Sequence, residues 1–568
     1  GFANGSSVTV RLASECVNPS ACQPGQQVTI VNNGASAIAA NNSGAVSAYT
    51  SKSLLFGTKG TAAFTLSYPD VGAIRLHARY NVPLGTGGAS STDMAGTSNS
   101  FVVRPYTFAL TNIRRSSDAF ANPGAANAAG AAFIRAGEDF SVTVTARNAA
   151  GSATPNFGQE STPEGVRLST TLATGLGLTN NPALANATQF GSFSAGSATG
   201  THFSWPEVGI VTLSPSVADG DYLGAGDVAT VTSSGNVGRF TAHHFTVGGT
   251  TITNRSAAGC APASGFTYMG EPLAAGFALT ARAAGGSTTV NYASANAFAK
   301  LPNTAGTVAP LSTMGWGAVN AGTNLSSRID TLGGAALTWT AGVSNVNANL
   351  AIARASGPDG PFASLGLGIA PVDQDGAALD PAALNLDIDA GGGNDHALLG
   401  TTAVRFGRLK VHNALGSGLT ALPVALETQY YNGTGFVTNG HDSCTQLLRS
   451  DVMFRNFQKN LTACETSSAA LPAGLVFSAG RSALTLTKPV AGGDSAVDGS
   501  VDLMPRLSGA VTGNTCLNGV SSAATNAGKS WLQYDWSGSG VHDQNPTGRA
   551  AFGLSRGANE FIYFRELY

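Results

Sequence analysis

Alternating apolar and polar residues run through Phe140-Ser141-Val142-Thr143-Val144-Thr145-Ala146-Arg147. Side chains of a β-strand point alternately to opposite faces of a sheet, so this stretch would bury one face and expose the other. Clusters of Gly, Asn and Pro bound it, as is typical of antiparallel strands joined by turns. The Ala-rich stretch 122–130 carries Gly, Pro and Asn at close intervals, which break a helix. We therefore predict strands and loops rather than helices.

The sequence also contains an internal repeat. The run Ser67-Tyr68-Pro69-Asp70-Val71-Gly72-Ala73-Ile74-Arg75-Leu76 returns as Ser204-Trp205-Pro206-Glu207-Val208-Gly209-Ile210-Val211-Thr212-Leu213. Both runs share an aromatic residue followed by Pro, an acidic residue, Val and Gly. Phe108 and Phe245 match at the same offset. One offset at two separate places indicates two copies of one domain.

A third copy follows. Gly137-Glu138 and Asn156-Phe157 recur as Gly270-Glu271 and Asn291-Tyr292 at nearly constant spacing. Turn spacing and copy length fit immunoglobulin-like (Ig-like) sandwiches. We predict an all-β fold of tandem Ig-like β-sandwich domains, divided into a shortened repeat at 1–105, a repeat at 106–245, a β domain at 246–410 and a C-terminal β domain at 411–568.

Several later runs also read as strands. Two of them lie in the third region, at 336–340 and 350–354. In the last region, 423–431 would be a long strand that enters an Asn-Gly turn, and 560–568 a terminal strand.

Composition excludes several classes of protein. With 568 residues, the chain can bury several hydrophobic cores. Charged residues make up 11% and the net charge is -2, so no global field would attract nucleic acid or an anionic membrane. The sequence contains no run of about 18 apolar residues, so we predict no transmembrane helix in it. The chain begins Gly1-Phe2-Ala3, so we expect either that processing removes a targeting segment or that the sequence starts internally.

The six cysteines favour disulfides and an oxidising compartment outside the cytoplasm. Cys16 and Cys22 enclose a short loop with a Pro, and Cys444 and Cys464 would form a second pair. Cys260 and Cys516 remain and would pair with each other, although six cysteines permit fifteen connectivities. No Cys-x-x-Cys spacing supports a zinc site.

An acidic segment offers a candidate metal site. Asp373 and Asp375 stand two apart in Asp373-Gln374-Asp375-Gly376, and Asp387 and Asp389 follow, with Asp380, Asn394 and Asp395 nearby. Carboxylates on turns are the oxygen ligands that calcium prefers, so we consider calcium as a possible cofactor at Asp373, Asp375, Asp387 and Asp389. The alternative is that Asp and Gly simply favour turns. The EF-hand pattern fails because position twelve is Leu384.

Aromatic runs offer candidates for glycan binding, at 430–433 and in Trp531-Leu532-Gln533-Tyr534-Asp535-Trp536. If the second run is a strand, Trp531 and Gln533 share one face, and Leu532 and Tyr534 share the other. Aromatic residues more often fill cores, which is the alternative. No ligand-binding residue is assigned on this basis.

No convincing catalytic motif stands out. Gly553-Leu554-Ser555-Arg556-Gly557 matches Gly-x-Ser-x-Gly, but no His follows it and no strand-turn-helix surrounds it. The histidines show no His-x-x-x-His spacing, and phosphate-binding and dinucleotide-binding motifs are missing. We expect a protein that is not an enzyme and has no catalytic residues.

The C-terminal half resembles a known family. The resemblance rests on motifs that occur in this order: 266–272 (FTYMGEP), 359–362 (DGPF), 371–376 (PVDQDG), 405–409 (RFGRL), 442–445 (DSCT), 531–536 (WLQYDW) and 561–566 (FIYFRE). Together they resemble the MshQ family of MSHA (mannose-sensitive haemagglutinin) pilus biogenesis proteins of Gram-negative bacteria, from about residue 100 to the C-terminus. The resemblance implies a surface protein linked to type IV pili of the MSHA type, with no known catalytic activity.

Residues and resemblance lead to one functional hypothesis and an alternative. The first is a non-enzymatic, extracellular structural or adhesive component of an MSHA-like type IV pilus or surface filament, whose partners are pilus subunits or copies of itself. An exposed strand edge would allow self-association. The alternative is a calcium-stiffened adhesin at a pilus tip that binds surface glycans or other surfaces. Either would lie at the cell surface after export.

Overall fold

The computed structural model describes residues 2–84, 90–256, 265–301, 313–334, 337–469, 474–490, 497–511, 513–517 and 519–553. The regular structure of these residues is β-strand, interrupted by short turns of 3-10 helix. Each sheet takes its strands from one of four consecutive stretches, which we call the first to fourth domains. The predicted all-β fold of tandem Ig-like β-sandwich domains is confirmed. No helix in the described part of the chain is long and apolar enough to cross a membrane.

The first domain contains β1 (Ser7–Asn18), β2 (Thr29–Val31), β3 (Ala35–Ala37), β4 (Ala39–Asn41), β5 (Thr50–Leu55), β6 (Thr65–Ser67), β7 (Gly72–Leu84), β8 (Ser90–Thr97) and β9 (Phe101–Val103). Strands β2, β3 and β6 form one sheet, and the others form the second sheet. The second domain contains β10 (Thr107–Arg115), β11 (Ile134–Arg135), β12 (Phe140–Arg147), β13 (Val166–Leu172), β14 (Ser197–Phe203), β15 (Gly209–Val217) and β16 (Val237–Thr241). Its sheets have the orders β10-β12-β14 and β11-β16-β15-β13.

The third domain contains β17 (His244–Thr253), β18 (Phe266–Tyr268), β19 (Leu273–Arg282), β20 (Trp316–Asn320), β21 (Thr323–Asn324), β22 (Ile329–Gly334), β23 (Val343–Ile352), β24 (Phe362–Ile369) and β25 (Ala397–Arg405). Its sheets run β17-β19-β23-β22 and β18-β25-β24-β20-β21.

The fourth domain contains β26 (Gly407–Val411), β27 (Ala414–Gly416), β28 (Leu422–Tyr431), β29 (Phe436–Thr438), β30 (Gln446–Leu447), β31 (Val452–Lys459), β32 (Leu475–Val476), β33 (Arg481–Leu486), β34 (Gly499–Pro505) and β35 (Gly548–Phe552). One sheet joins β26, β28, β29 and β33, a second has the order β27-β35-β34-β31, and β30 pairs with β32.

The repeat in the sequence corresponds to a repeat in topology. Phe108 on β10 pairs with Ala146 on β12, and Phe245 on β17 pairs with Ala281 on β19. In the second, third and fourth domains, a short strand that precedes a long one pairs in parallel with the last strand of the domain among the described residues: β11 with β16, β18 with β25, and β27 with β35. Strand β12 is the predicted alternating stretch, with Phe140, Val142, Val144 and Ala146 buried.

Other strand predictions had mixed outcomes. Strand β28 confirms the prediction for 423–431, but the following loop has four residues, because Tyr431 pairs with Phe436. The strand predicted at 350–354 is confirmed as far as Ile352, where β23 ends. The terminal strand predicted at 560–568 lies outside the described residues.

The strand predicted at 336–340 is wrong. Ala336 lies outside the described residues, 337–339 form no strand, and Thr340 makes one isolated bridge to Val343. The alternation has another cause. Leu337 and Trp339 are buried in the third domain's core, and they reach it from an irregular connection.

Two disulfides are defined in the described part of the chain. Cys16 and Cys22 pair as predicted, with their Cα atoms 5.5 Å apart. The pairing predicted for Cys444 and Cys464 is wrong, because Cys464 pairs with Cys516. The segment that contains Cys516 returns to β31 through a bridge between Asn514 and Phe454, while Cys464 follows the end of that same strand. Cys516 is therefore no partner for Cys260, which itself lies outside the described residues.

Candidate functional site

The repeated aromatic-Pro-acid-Val-Gly run lies where one domain meets the next. In the first copy, the Asp70 carboxylate accepts hydrogen bonds from the backbone N–H groups of Val71 at 2.9 Å and Asn156 at 3.0 Å. Asn156 belongs to the second domain, and its side-chain amide donates to the Val71 carbonyl at 3.1 Å and the Tyr68 hydroxyl at 3.0 Å. Asp70 and Asn156 are each 1% exposed. The acid of the first domain thus binds the loop after β12 of the second.

The second copy makes the same kind of interface between the second and third domains. The Glu207 carboxylate accepts from the backbone N–H groups of Val208 at 2.8 Å, Val290 at 2.9 Å and Asn291 at 3.1 Å. It also accepts from the side-chain amide of Asn180 at 2.7 Å. Glu207 is fully buried, and Asn291 occupies the place that Asn156 has at the first interface.

The valine of each run enters the core of the following domain. Val71 belongs to the buried cluster that contains Phe157, and Val208 belongs to the cluster that contains Tyr292. Phe157 and Tyr292 directly follow the two interface asparagines. Each repeat therefore combines a buried polar contact with apolar burial, and both stabilise the same interface.

The glycine of the run is required by the backbone. Gly72 has φ of +126° and Gly209 has φ of +141°, a region that other residues rarely adopt. A Cβ atom on Gly72 would lie 2.6 Å from the Asn18 carbonyl oxygen. The glycine allows the chain to turn directly from the interface into β7 or β15.

Burial shifts the acidity of both interface acids. Desolvation raises the pKa of Asp70 to about 6, although the N–H groups of Asn156 and Val71 oppose the shift. Desolvation also raises the pKa of Glu207 against the hydrogen bonds that it accepts. Neither acid has a cationic partner within the described residues, so the donors at these two interfaces are mainly backbone amides.

A different set of residues joins the third and fourth domains. Arg255 is 1% exposed and lies between two fully buried acids, Glu271 of its own domain and Asp442 of the fourth. Its Nε atom lies 3.0 Å from Glu271, and its Nη1 atom lies 2.8 Å from Asp442. Asp442 also accepts from the Tyr268 hydroxyl at 2.9 Å, and Arg255 donates to the Thr445 hydroxyl at 2.8 Å. Such a triad tolerates burial because each charge has a partner.

The two acids of this triad differ in acidity. Desolvation would raise the pKa of Asp442, but Arg255 and the hydrogen bonds from Thr445 lower it below its usual value. Desolvation outweighs Arg255 at Glu271 and raises the pKa of that acid. One guanidinium cannot fully compensate two buried carboxylates.

No sequence pattern predicts the pairing of Arg255 with Asp442. Their separation of 187 residues matches no repeat spacing, and a lone Arg gives no motif. The available signals were Gly270-Glu271, which recurs from Gly137-Glu138, and the motifs at 266–272 and 442–445, which contain the two acids but do not show that they lie close together.

The acidic segment is divided between two places. Asp373 is buried and accepts from the Tyr292 hydroxyl at 3.0 Å and from the N–H groups of Asp375 and Ala377, each at 2.9 Å. Asp375 forms a two-pronged ion pair with Arg239 of the second domain, with one contact at 2.6 Å. Asp375 therefore belongs to the interface between the second and third domains, and Asp373 holds the loop that carries it.

The other acids of the segment gather near β25. Asp387, Asp389 and Asp395 each offer a carboxylate oxygen within 4.8 Å of the others. The Oδ1 atom of Asp387 is buried and has no hydrogen-bond partner among the described residues. Asp389 and Asp395 also cap the backbone N–H groups of Gly391 and Ile388. Three hard oxygen donors fit part of a calcium shell of six to eight.

The two aromatic segments come together in the fourth domain. The ring of Phe436, which pairs with Tyr431, lies 4.9 Å from that of Tyr534, and Tyr534 lies 5.3 Å from Trp536. The guanidinium of Arg408 lies 3.8 Å from the Phe436 ring centre and 5.0 Å from that of Trp536. Trp536 is 39% exposed.

The strand predicted for 531–536 is wrong. Ser530–Leu532 forms a short 3-10 turn, and Trp531, Leu532 and Gln533 are all buried because this segment packs against the third domain and the fourth domain's core. The Gly-x-Ser-x-Gly match cannot be located, since Ser555 lies outside the described residues.

The chain matches models of a protein family, whereas its similarity to solved structures is too low to be informative. No curated protein matches the chain. Among solved structures, the chain is similar to Escherichia coli alpha-2-macroglobulin activated by porcine elastase, at 10% identity and a TM-score of 0.13, covering 97% of this chain and 41% of that one. Salmonella alpha-2-macroglobulin reacted with methylamine gives 10% identity, a TM-score of 0.14, and coverage of 97% and 38%. The chain thus spans about two fifths of these structures, at scores too low to support an inference.

Family models match the chain along nearly its whole length. The first Ig-like domain of the domain of unknown function DUF6701 matches residues 1–97, and its second domain matches 104–203. The third domain matches 207–395 and the fourth matches 405–567. With four DUF6701 domains in order, the protein belongs to the DUF6701 family.

Proposed function

We propose that this protein is a non-enzymatic structural and adhesive component of a surface filament, a type IV pilus of the MSHA kind. Tandem Ig-like domains are common in extracellular structural and adhesive proteins. The order of motifs that resembles MshQ supports the pilus, and the disulfides are compatible with export to the surface of a Gram-negative bacterium. Its partners would be pilus subunits or copies of itself.

The observation that carries this proposal is the repeated interface. A buried acid, a valine and a glycine recur with similar geometry at two successive interfaces, and a buried ion triad joins the third pair of domains. Buried polar contacts of this kind favour one relative orientation of two domains, since other arrangements leave more of the polar groups unpaired. A protein that transmits force or holds a binding surface away from the cell requires such fixed interfaces.

Immunogold electron microscopy of native cells tests the proposal. Antibodies against the protein at its natural level should label a pilus, either along its length or at its end. Label along the length would identify a structural subunit, and label at the end would identify a tip adhesin. A strain that lacks the gene supplies the control for background. Label confined to the cell body, with pili unlabelled and adhesion unchanged in the deletion strain, would refute the proposal.

A calcium-stiffened adhesin is the second candidate, and the group of Asp387, Asp389 and Asp395 favours it. We expect calcium at 100 times its dissociation constant to stabilise the third domain by about 2.7 kcal/mol. Thermal unfolding in calcium and in EDTA measures this difference. Asp387→Asn should abolish it and Asp118→Asn, at an exposed acid of the second domain, should not. Equal melting temperatures in calcium and EDTA would exclude this candidate.

A further inference from the structure

We propose that a cleft beside Trp536 in the fourth domain binds an uncharged hexopyranose at the end of a surface glycan. This inference rests on the adhesive part of the proposed function and names its ligand class. The filament part does not depend on it, because microscopy of native pili tests assembly without reference to any sugar.

The cleft has the size of a small-molecule site. Its volume is about 560 Å³, within the range of about 300 to 1,000 Å³ typical of ligand pockets. Its lining combines one large aromatic residue, Trp536, with polar and charged side chains that include Arg455, Asp543 and Thr547. An aromatic surface beside a few polar groups matches a sugar ring, which presents C–H groups on its faces and hydroxyls around its edge.

Trp536 is held in place before any ligand binds. Its ring stands edge-on to Tyr534 at 5.3 Å, and the Arg408 guanidinium lies 5.0 Å from its centre. The neighbouring Asp535 carboxylate accepts from the backbone N–H groups of Ser539 at 2.8 Å and Gly540 at 2.7 Å, which closes the loop that carries the tryptophan. A fixed aromatic ring loses little conformational entropy on binding.

The cleft also presents polar groups that have few or no partners in the described part of the protein. Within the described residues, the Asp543 carboxylate accepts no hydrogen bond and forms no ion pair. Arg455 makes one side-chain hydrogen bond there, to the Met504 sulfur at 3.4 Å, and its positive charge also helps to lower the pKa of Asp502. Gln544 and Asn545 differ from them, because their amides already bind neighbouring loops.

Asp543 and Arg455 indicate the class of ligand. A carboxylate accepts from sugar hydroxyls, and a guanidinium donates to them. Because one positive and one negative group line the same cleft, the attraction of an acidic sugar to Arg455 would be offset by repulsion from Asp543, which leaves no net gain to set against the desolvation of its charge. The cleft therefore fits a neutral hexose better than a sialic or uronic acid.

The test uses the full chain on an array of oligosaccharides ending in glucose, galactose, mannose or N-acetylglucosamine, with sialylated and uronic-acid glycans on the same slide. We expect binding to one or more neutral termini. Titration of the selected oligosaccharide should show affinity at least about tenfold weaker for Trp536→Ala, as for loss of a central aromatic contact. Trp536→Phe should retain most of the affinity, and Asp543→Asn should weaken it.

The control is Phe120→Ala, which removes an aromatic ring of similar exposure from the second domain and should leave binding unchanged. Circular dichroism and melting curves establish that each variant is folded. The proposal is overturned by failure to bind any neutral terminus, by binding of acidic glycans alone, or by neutral binding that Trp536→Ala does not weaken. None of these outcomes would change the immunogold labelling of native pili, so failure of this proposal is distinguishable from failure of the proposed filament role.

Discussion

The carboxylate of Asp70 is buried between the first two domains, and its pKa of about 6 links that interface to pH. An aspartate in the unfolded chain has a pKa of about 3.9. Between these values the folded state holds the proton and the unfolded state releases it. The free energy of unfolding therefore falls as pH rises from about 4 to about 6, by about 3 kcal/mol for the full shift.

Asp70→Asn should remove this pH dependence. The asparagine oxygen can still accept from Val71 and Asn156, but it does not ionise. Urea unfolding of both proteins from pH 4 to pH 7.5 gives the difference in free energy at each pH. We expect the free energy of unfolding of the variant to increase relative to that of the wild type as pH rises to about 6. Above that pH the difference should stay constant. Asp118→Asn is the exposed control. Parallel curves for Asp70→Asn and the wild type would contradict the expectation.

At the scale of the element, the two defined disulfides close loops of very different length. Cys464 and Cys516 are 52 residues apart, and Cys16 and Cys22 are 6 apart. Loop-closure entropy predicts about 4 kcal/mol of stabilisation for the longer loop and about 2 kcal/mol for the shorter. The longer one also fixes the 513–517 segment beside β31.

Replacing each pair by alanine compares these contributions. Cys464→Ala with Cys516→Ala should destabilise the fourth domain about twice as much as Cys16→Ala with Cys22→Ala destabilises the first. Denaturant unfolding, followed by proteolysis to identify which domain opens, measures both. An equal or larger loss for the shorter loop would show that strain or residual structure, rather than loop length, sets the stability.

Sequence pattern predicts elements well where a strand buries one face. The alternation of β12 and β28 specifies both strands. It misleads at 336–340 and 531–536, where aromatic side chains reach a core from irregular backbone. Alternating polarity indicates that every second side chain is buried. It does not show that the backbone of the segment pairs with another strand.

At the scale of the whole molecule, the repeat predicted from the sequence contains the residues of two of the three interfaces, although the repeat alone predicts copies of a domain and no contact between them. The run around Asp70 and Glu207, and the asparagines at 156 and 291, are both visible in the sequence. Repetition cannot reveal which residues touch, so the pairing of acid with asparagine required the structure. The Arg255 triad was not predictable, because its members share no spacing with the other two interfaces.

Glu207 should determine whether the second and third domains unfold together. Removing its side chain leaves the N–H groups of Val290 and Asn291 buried without an acceptor, which costs about 1 to 3 kcal/mol for each. We expect calorimetry to show one joint unfolding transition for these domains in the wild type and two transitions in Glu207→Ala. Small-angle X-ray scattering should show a broader distribution of interatomic distances in Glu207→Ala, because its domains move relative to each other. Glu207→Gln keeps one carbonyl acceptor, so its unfolding transitions should be separated less than those of Glu207→Ala and more than those of the wild type. A single transition in Glu207→Ala, at the wild-type temperature, would mean that the apolar contact of Val208 holds the interface alone, and the buried acid would then have no part in fixing the domains.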